Sequence, residues 1–439
     1  MPDAFQIIKA TVGLPVSDKT SALMGKLVKR PTVYGWHVDP TEPDPEKAVT
    51  YLASARGKTP ARMGAGSFNY GSWKRAFFMP RPCMLRYDGT VAYYLDPDDY
   101  TKKADGTPSD VGNAAFEGNA MMEWPLIWYK FEAGEADGEG YFYCSDKQID
   151  SSYKCWCNID SQNNIIPHFY TAIYNGCIVN SKMRSLSGIS LDPDHGYGNT
   201  TGQQEINAAL ANGLTSAVDW YTDVFSDRML ISALLILISK TLNNKAAFGR
   251  GMDSSGTSSH RDRYTTGALN GKGQFWGSTS VGTQGVKVFG MEGWYACRYR
   301  RLAGLLSVTD NDTRRYAYKL TYGTADGSSA SAYNEQGSGY LTTEFAIPYA
   351  ATTTAVRKMT FGRHGMLPSE VGSSATTSTY FAVAFYYGTG NAITSANTSN
   401  AEGSAGSMYF GFGTAFTDKH ENVGTSLSCK PVKTAAIAV

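Results

Sequence analysis

Apolar and aromatic residues occur along this chain in short runs that are separated by turn-forming residues. In residues 68–100 they alternate with polar residues and are interrupted by Gly, Asp and Pro, a pattern that predicts short strands. Residues 121–132 and 139–146 predict two strands around a Gly/Glu/Asp turn, and residues 165–179 predict another strand pair. The pattern therefore indicates a chain built mainly from short strands.

Helical spacing of apolar residues is clear in two segments, residues 203–211 and residues 220–241. A third, short helix is expected at residues 46–55, because Pro45 suits the start of a helix. The most apolar run, residues 229–238, is far shorter than the roughly 20 residues of a membrane span, so we expect a buried core helix and no membrane insertion. Few helices among many short strands favour an α+β fold over a parallel βαβ array.

The domain organisation follows from length and from one polar segment. A chain of 439 residues is long enough for two or three domains. Residues 101–118 are polar and contain Gly and Asp, which makes them a candidate junction. We expect a small, mostly-β N-terminal region over residues 1–117. The expected second domain, residues 118–439, has few helices and many short strands.

Composition indicates surface contact rather than electrostatic binding. The net charge is +1 and charged residues make up 18% of the chain, so it lacks the basic footprint typical of nucleic-acid-binding proteins. The 28 tyrosines and 46 glycines accompany many Ser, Thr and Asn residues, a bias that provides rigid contact area and adaptable hydrogen bonding in antibody-type surfaces. A loop-rich β protein with an ordinary surface is the alternative. The N-terminus lacks the apolar segment of a secretory signal.

The seven cysteines predict no disulfide framework or metal knuckle. Their number is odd, their spacing is scattered, and Cys155 and Cys157 form C-x-C rather than C-x-x-C. We expect reduced and mostly buried thiols, which fits assembly in a reducing cytoplasm.

Motifs for catalysis and cofactors are not found in the sequence. No two of the six histidines are close together, and the phosphate-loop and nucleophile-elbow patterns are missing. The acidic segments 96–99, 192–194 and 309–313 are better explained as turns than as calcium loops. We expect Arg298, Arg300 and Arg301 to pair with carboxylates rather than to bind nucleic acid. The sequence thus predicts a non-catalytic protein without metal or cofactor.

Residues 288–294 read VFGMEGW and follow the apolar segment at residues 221–241. In their order and spacing, residues 118–431 resemble the family of formylglycine-generating-enzyme-like C-type lectin folds, whose G-V-x-D-M-x-G-N-x-W-E-W core is similar to residues 288–294 and which has a helix where residues 221–241 lie. Residues 407–412 and 423–429 occupy the positions of its last strands. The resemblance implies a C-type-lectin-like domain. Cys429 lacks a nearby partner for the copper-binding cysteine pair of the sulfatase-activating enzymes, and the calcium-dependent sugar motifs are missing, so neither activity is carried over.

A second resemblance is carried by residues 33–38, 58–61, 68–73, 82–85, 96–100, 118–124 and 247–249. Through the joint order of these segments, the whole chain resembles tail-associated proteins of gut bacteriophages of Gram-positive hosts. The resemblance implies a virion adhesin, made in the bacterial host cytoplasm, in which residues 1–117 attach to the tail and to neighbouring subunits. The C-terminal domain would then bind a host-surface receptor, either a protein or a glycan. The implied oligomer is a homotrimer.

Such phage domains often carry a variable surface, in some cases diversified by a retroelement, and the corresponding segment here is about residues 380–422. It is rich in Asn, Ser, Thr and Tyr, and loops held by a rigid core are where binding residues concentrate. By strand alternation, Phe381, Val383, Phe385, Phe410 and Phe412 are expected to face the core. The predicted receptor-binding residues are Tyr380, Tyr386, Tyr387, Asn391, Asn397, Asn400, Tyr409, Phe416, Lys419, His420 and Asn422.

Two other functional hypotheses stay open. The chain could be a structural virion component of the baseplate, tail or head, because assembly interfaces are also enriched in Tyr and Trp. A glycan hydrolase would need two positioned carboxylates, and no spacing singles out such a pair.

Overall fold

The computed structural model describes residues 30–432 with interruptions. The residues outside the described part are 1–29, 65, 192–198, 214–217, 250–264, 279–284, 296, 298, 324–338, 350–353, 373–383, 388–392, 396–405, 408–409, 413–415, 420–422 and 433–439. Within it, strands predominate and helices are few, which confirms the predicted strand-rich fold.

The described helices are short except for one. They are α1 (Gly202–Leu210), α2 (Phe225–Ser239), α3 (Asn244–Phe248) and a 3-10 turn (Trp156–Asn158). The helix predicted at residues 203–211 is confirmed. It begins with a capping box, in which the Thr201 hydroxyl accepts from the Gln204 amide and the Gln204 side chain accepts from the Thr201 amide.

Two helix predictions need correction. The helix predicted over residues 220–241 begins only at Phe225, because Val218–Thr222 form a strand that pairs with a C-terminal strand. The helix predicted over residues 46–55 is wrong, since Val49–Ala53 form a strand. That segment begins with two β-branched residues and an aromatic one, and the neighbouring strand pairs along its whole length, which outweighs the helix-start signal of Pro45.

The strands are numbered β1 to β25 in chain order. The first group is β1 (Val33–Val38), β2 (Val49–Ala53), β3 (Arg62–Met63), β4 (Phe68–Asn69), β5 (Arg81–Arg86), β6 (Val91–Tyr94), β7 (Gly118–Pro125), β8 (Trp128–Ala133), β9 (Gly140–Ser145), β10 (His168–Ala172), β11 (Cys177–Val179), β12 (Lys182–Arg184) and β13 (Val218–Thr222). The second is β14 (Lys287–Val288), β15 (Met291–Glu292), β16 (Tyr299–Asp310), β17 (Thr313–Tyr318), β18 (Leu341–Ala346), β19 (Thr354–Gly362), β20 (Gly365–Gly372), β21 (Ala384–Tyr386), β22 (Ile393–Ser395), β23 (Phe410–Gly411), β24 (Val423–Gly424) and β25 (Leu427–Pro431).

Three sheets contain most of these strands. A four-stranded sheet has the order β2-β1-β9-β8, and a six-stranded sheet has the order β13-β25-β10-β7-β5-β6. The largest sheet has the order β18-β17-β16-β22-β23-β21-β19-β20, with β24 paired to β16. The last strand, β25, therefore lies inside the six-stranded sheet, between β10 and β13.

The described chain does not divide at residues 117/118, the predicted domain boundary. The four-stranded sheet joins β1 and β2 to β8 and β9, and the six-stranded sheet joins β5 to β7 through six registered residue pairs. One hydrophobic core also runs from Tyr34 to Phe412. Residues 30–117 are thus part of the same hydrogen-bonded and packed unit as the residues that follow.

Helix α2 lies at the centre of this core. All of its 15 residues are buried, so no face of the helix contacts water. Two of its carbonyls accept from the N-terminal segment: Trp36 Nε1 donates to the mid-helix Ala233 carbonyl (3.0 Å), and the Ala61 amide donates to the Ile238 carbonyl (2.7 Å) near the C-terminus. Burial on every side agrees with the prediction of a core helix, and no described helix is long and apolar enough to span a membrane.

A buried ion pair connects α2 to the C-terminal strand. Lys430 Nζ donates to Asp227 Oδ1 (2.9 Å) and to the Cys157 carbonyl (2.6 Å), while the Ser428 hydroxyl donates to Asp227 Oδ2 (2.7 Å). The two charged side chains are 0% and 4% exposed. Buried charges are tolerated when they are paired and hydrogen-bonded, and here each charged group bonds both its partner and at least one further group.

The cysteine and turn predictions are confirmed where the structure describes them. All seven cysteines are free and buried. Burial raises the pKa of the Cys155 thiol to about 12, which leaves it protonated and a poor nucleophile at neutral pH. Asp96 Oδ1 accepts from the amide of Asp98 (2.8 Å), and residues 310–313 close the β16–β17 hairpin, with Asn311 and Asp312 at φ 46° and 61°. Both segments are turns, whereas residues 192–194 lie outside the described residues.

Replacing Lys430 should destabilise the fold strongly. Lys430→Met leaves Asp227 buried without its counter-charge, and we expect a loss of about 3–5 kcal/mol in the free energy of unfolding. Guanidinium denaturation measures this loss. The exposed Lys47, which pairs with Asp44, provides the control: Lys47→Met should leave the denaturation midpoint unchanged. The double variant Asp227→Asn/Lys430→Met should lose less stability than Lys430→Met, and equal losses would contradict the ion-pair account.

Candidate functional site

One candidate site is an exposed group of aromatic and basic side chains, the tyrosine cluster (Arg314, Tyr349 and Tyr387). Tyr349 is 73% exposed, the largest value among the exposed large hydrophobic side chains of the described residues. Its ring lies edge-on to Tyr387, with ring centroids 5.2 Å apart. The Arg314 guanidinium lies 5.3 Å from the centroid of the Tyr387 ring.

The neighbouring backbone holds the tyrosine cluster in place. Arg314 lies in β17, and its carbonyl accepts from the Ile347 amide (2.8 Å), two residues before Tyr349. Tyr387 directly follows β21, which is anchored by Phe385, a residue with no exposed surface. The rings are thus carried at the ends of strands of the largest sheet, where a stiff scaffold supports an exposed contact.

The predicted receptor-binding residues have different positions. Tyr387 belongs to the tyrosine cluster, Lys419 is exposed, and Tyr386 lies in β21. The prediction for Phe416 is corrected: it is 3% exposed and packs in a cluster with Ile206. Tyr380, Asn391, Asn397, Asn400, Tyr409, His420 and Asn422 lie outside the described residues.

Phe416 is buried because its ring packs on the start of α1. A Cβ atom at Gly202, the first residue of α1, would lie 2.3 Å from the Phe416 ring, so the ring rests directly on the glycine backbone. The core prediction is confirmed for Phe385, Phe410 and Phe412, which have no exposed surface. Phe381 and Val383 lie outside the described residues.

The basic segment near residue 300 is part of the interior. Arg300 Nη1 lies 3.2 Å from Asp223 Oδ2, and Arg301 Nη1 lies 2.5 Å from Glu205 Oε1, with both arginines 2% exposed. Pairing with carboxylates is therefore confirmed for these two, and Arg298 lies outside the described residues. Burial raises the pKa of Glu205 and of Asp223 although each has a cationic partner.

The second candidate site is a cleft of about 420 Å³, which we name the basic cleft. Three separate segments of the chain line it: strand β8, residues 152–156 at the start of the 3-10 turn, and the β19–β20 turn. The lining residues are Tyr129, Lys130, Phe131, Ser152, Lys154, Trp156, Gly362 and Arg363.

Backbone pairing positions two sides of the basic cleft. The Tyr129 amide donates to the Lys154 carbonyl (2.8 Å), and the Lys154 amide donates to the Tyr129 carbonyl (2.9 Å). On the other side, Arg363 and His364 form the turn between β19 and β20, which is closed by Gly365 at φ 81°. A side chain at Gly365 would strain this left-handed backbone and approach Met229 Sδ at 2.9 Å.

Close packing brings the β19–β20 hairpin against the four-stranded sheet. A Cβ atom at Gly140 would lie 2.2 Å from the Phe361 ring, so the ring lies directly on β9. Lys358 Nζ spans the junction, 2.7 Å from Asp137 Oδ2 and 2.9 Å from Glu370 Oε2. The basic cleft therefore exists only when the two sheets are packed together.

The charge of the basic cleft is positive. Lys130 Nζ pairs with Glu132 Oε1 at 2.7 Å. Lys154 and Arg363 are exposed, and within the described chain neither forms an ion pair. The Arg363 guanidinium lies 5.2 Å from the centroid of the Trp156 ring, a cation–π distance that orients it over the cleft wall.

The carboxylate of Glu123 accepts several hydrogen bonds and lies in the interior of the fold. Glu123 is 3% exposed and accepts from Arg81 Nη2 (2.5 Å), from the Tyr170 hydroxyl (3.0 Å) and from the Tyr94 hydroxyl (3.1 Å). Among the described residues, no group of three or more His, Cys, Asp and Glu side chains is arranged to hold a metal ion. The two surface sites therefore offer contact and charge rather than a metal centre.

Comparison with known proteins adds no relative: no family model matches the chain, and no curated protein matches it.

His364, which follows Arg363 in the β19–β20 turn, should make the stability of the fold depend on pH. His364 lies between Phe345 (5.3 Å between ring centroids) and Tyr318 (5.8 Å), and burial lowers its pKa from 6.5 to about 4. Between these two pH values the unfolded chain binds a proton at His364 and the folded chain does not. His364 therefore lowers the free energy of unfolding progressively as the pH falls from 6.5 to about 4. His364→Phe should reduce this loss.

Urea denaturation at pH 7, 5.5 and 4.5 provides the measurement, with the variant compared to the wild type at each pH. As the pH falls, the free energy of unfolding of His364→Phe should rise relative to that of the wild type. A difference that is constant over this range would contradict the burial of a neutral imidazole.

Proposed function

We propose that this chain is a bacteriophage virion protein, a tail fibre, tail tip or adhesin that binds a host-surface receptor through a lectin-like C-terminal domain without catalysis. The observation that carries the proposal is the tyrosine cluster. Tyr349 leaves 73% of its surface in water, next to a second tyrosine and an arginine.

The chemistry of the tyrosine cluster suits protein or glycan contact. Tyrosine and arginine are enriched among the residues that contribute most to binding energy, because they offer large contact area together with hydrogen-bonding groups. A tyrosine also loses little conformational entropy on binding, since it has two side-chain torsions. Tyr349 and Tyr387 are already in ring contact, which lowers the ordering cost further.

The lectin-like part of the proposal rests on where the similar segments lie. Residues 288–294 contain the turn and second strand of the tight β14–β15 hairpin, and Val288, Phe289 and Met291 are at most 1% exposed. Residues 423–429 contribute β24 and the start of β25, which returns to the interior of the six-stranded sheet. Within the predicted variable segment, residues 380–422, the described strands β21, β22 and β23 belong to the largest sheet.

A homotrimer with other virion proteins as neighbours completes the proposal. Weak tyrosine contacts become effective when several are presented together, because the second and third contacts form at high local concentration. The host-cell receptor, a protein or a glycan, is the external partner. The protein acts in the virion after synthesis in the bacterial host cytoplasm.

Truncating the tyrosine cluster should weaken adsorption. Tyr349→Ala and Tyr387→Ala should each reduce binding of the purified protein to host cells by about tenfold, the effect of losing about 1.4 kcal/mol of contact energy. Flow cytometry with labelled protein measures the binding. Ile149→Ala, which changes another exposed apolar side chain, is the matched control and should bind normally. Normal binding by both tyrosine variants would refute the assignment of this surface.

Particle assembly separates the adhesin from the alternative, a structural virion component whose tyrosine cluster makes assembly contacts. Phage particles that lack the protein should assemble, as judged by electron microscopy, and should fail to adsorb. Particles that fail to assemble would favour the structural role. Sedimentation of the purified protein tests the trimer, and a monomer at micromolar concentration would contradict it.

A further inference from the structure

We propose that the basic cleft is a second binding site, and that it takes an acidic saccharide, a sugar unit that carries a carboxylate or a phosphate. This inference does not depend on the virion role. It rests on the charge, the walls and the size of a cleft whose lining residues are all described.

The basic cleft carries positive charge that no carboxylate of the described chain neutralises. Lys154 and Arg363 come from segments more than 200 residues apart, yet they line one cleft, and neither has a carboxylate partner in the described chain. Lys130, the third cation, is neutralised by Glu132. Two like charges at one cleft repel each other unless an anion lies between them, so an anionic group is the complement of this surface.

The volume and the lining side chains of the basic cleft suit a sugar. The cleft volume of about 420 Å³ falls in the range of small-molecule sites and is too small for an extended polyanion. Its walls combine the rings of Tyr129, Phe131 and Trp156 with the side chains of Ser152 and Lys154. Apolar walls with a few polar donors suit the mixed faces of a sugar ring.

A saccharide suits this cleft better than a nucleotide does. A base needs an open aromatic face on which to stack. The Trp156 ring already has the Arg363 guanidinium 5.2 Å from its centroid, and Tyr129 is 4% exposed. A saccharide can instead place its acidic group on Arg363 and Lys154, which donate charge-assisted hydrogen bonds, and its hydroxyls on the remaining polar edge.

Titration calorimetry on the full chain tests the inference with three probes: glucuronic acid, glucose 6-phosphate and neutral glucose. We expect at least one acidic probe to bind and glucose to bind at least tenfold more weakly. The stronger acidic probe identifies the anion as a carboxylate or a phosphate. Raising the salt to 0.5 M should weaken acidic binding, because exposed charges are screened.

Charge-removing variants locate the binding in the cleft. Lys154→Gln and Arg363→Gln should each weaken the better acidic probe by about five- to tenfold, while Arg75→Gln, an exposed arginine outside the cleft, should have no effect. Unchanged melting temperatures verify that the variants are folded. The inference is overturned if neither acid binds, if glucose binds as well as the acids, or if both cleft variants bind like the wild type.

Discussion

A helix buried on every side is the constraint on which the rest of this structure depends. Because α2 contacts no water, each of its polar groups needs a partner within the protein, and these partners come from distant parts of the chain. Trp36 and Ala61 donate hydrogen bonds to two of its carbonyls, and Lys430 neutralises Asp227 in its first turn. The N-terminal strands and the C-terminal strand are therefore held to one helix, which explains why residues 30–117 do not form a separate unit.

The same constraint shapes both candidate sites. With β1 and β25 fixed around α2, the strands of the largest sheet can present residues at their ends without loss of register. The tyrosine cluster lies at such ends, beside β17, β18 and β21. The basic cleft forms where the β19–β20 hairpin packs on the four-stranded sheet, which itself lies against α2 through Trp36. Both surfaces therefore depend on the packing of the sheets around α2.

Sequence reasoning succeeded where one local signal dominates. The apolar run of α2, the buried cysteines, the pairing of Arg300 and Arg301 and the inward phenylalanines Phe385, Phe410 and Phe412 all follow from hydrophobicity or from charge. It failed where tertiary contacts decide. Residues 49–53 became a strand because β1 pairs with them, and Phe416 is buried because Gly202 leaves room for its ring.

The candidate sites were harder to predict for the same reason. Tyr349 lies outside the segment that the family resemblance indicated, and the packing of its ring on Tyr387 connects the two. Tyr129, Lys154 and Arg363 line one cleft from three segments, with no sequence spacing to relate them.

A core that is closed around α2 should hold the two candidate surfaces in place, so that occupying either of them changes the core little. Hydrogen exchange of the full chain, with and without purified host-cell surface material, tests it most directly. The account predicts that added protection is confined to the segments around Arg314, Tyr349 and Tyr387 and to the lining of the basic cleft, while the amides of α2 exchange equally slowly in both samples. Protection spread through α2 and the six-stranded sheet, with none at these surface segments, would contradict it.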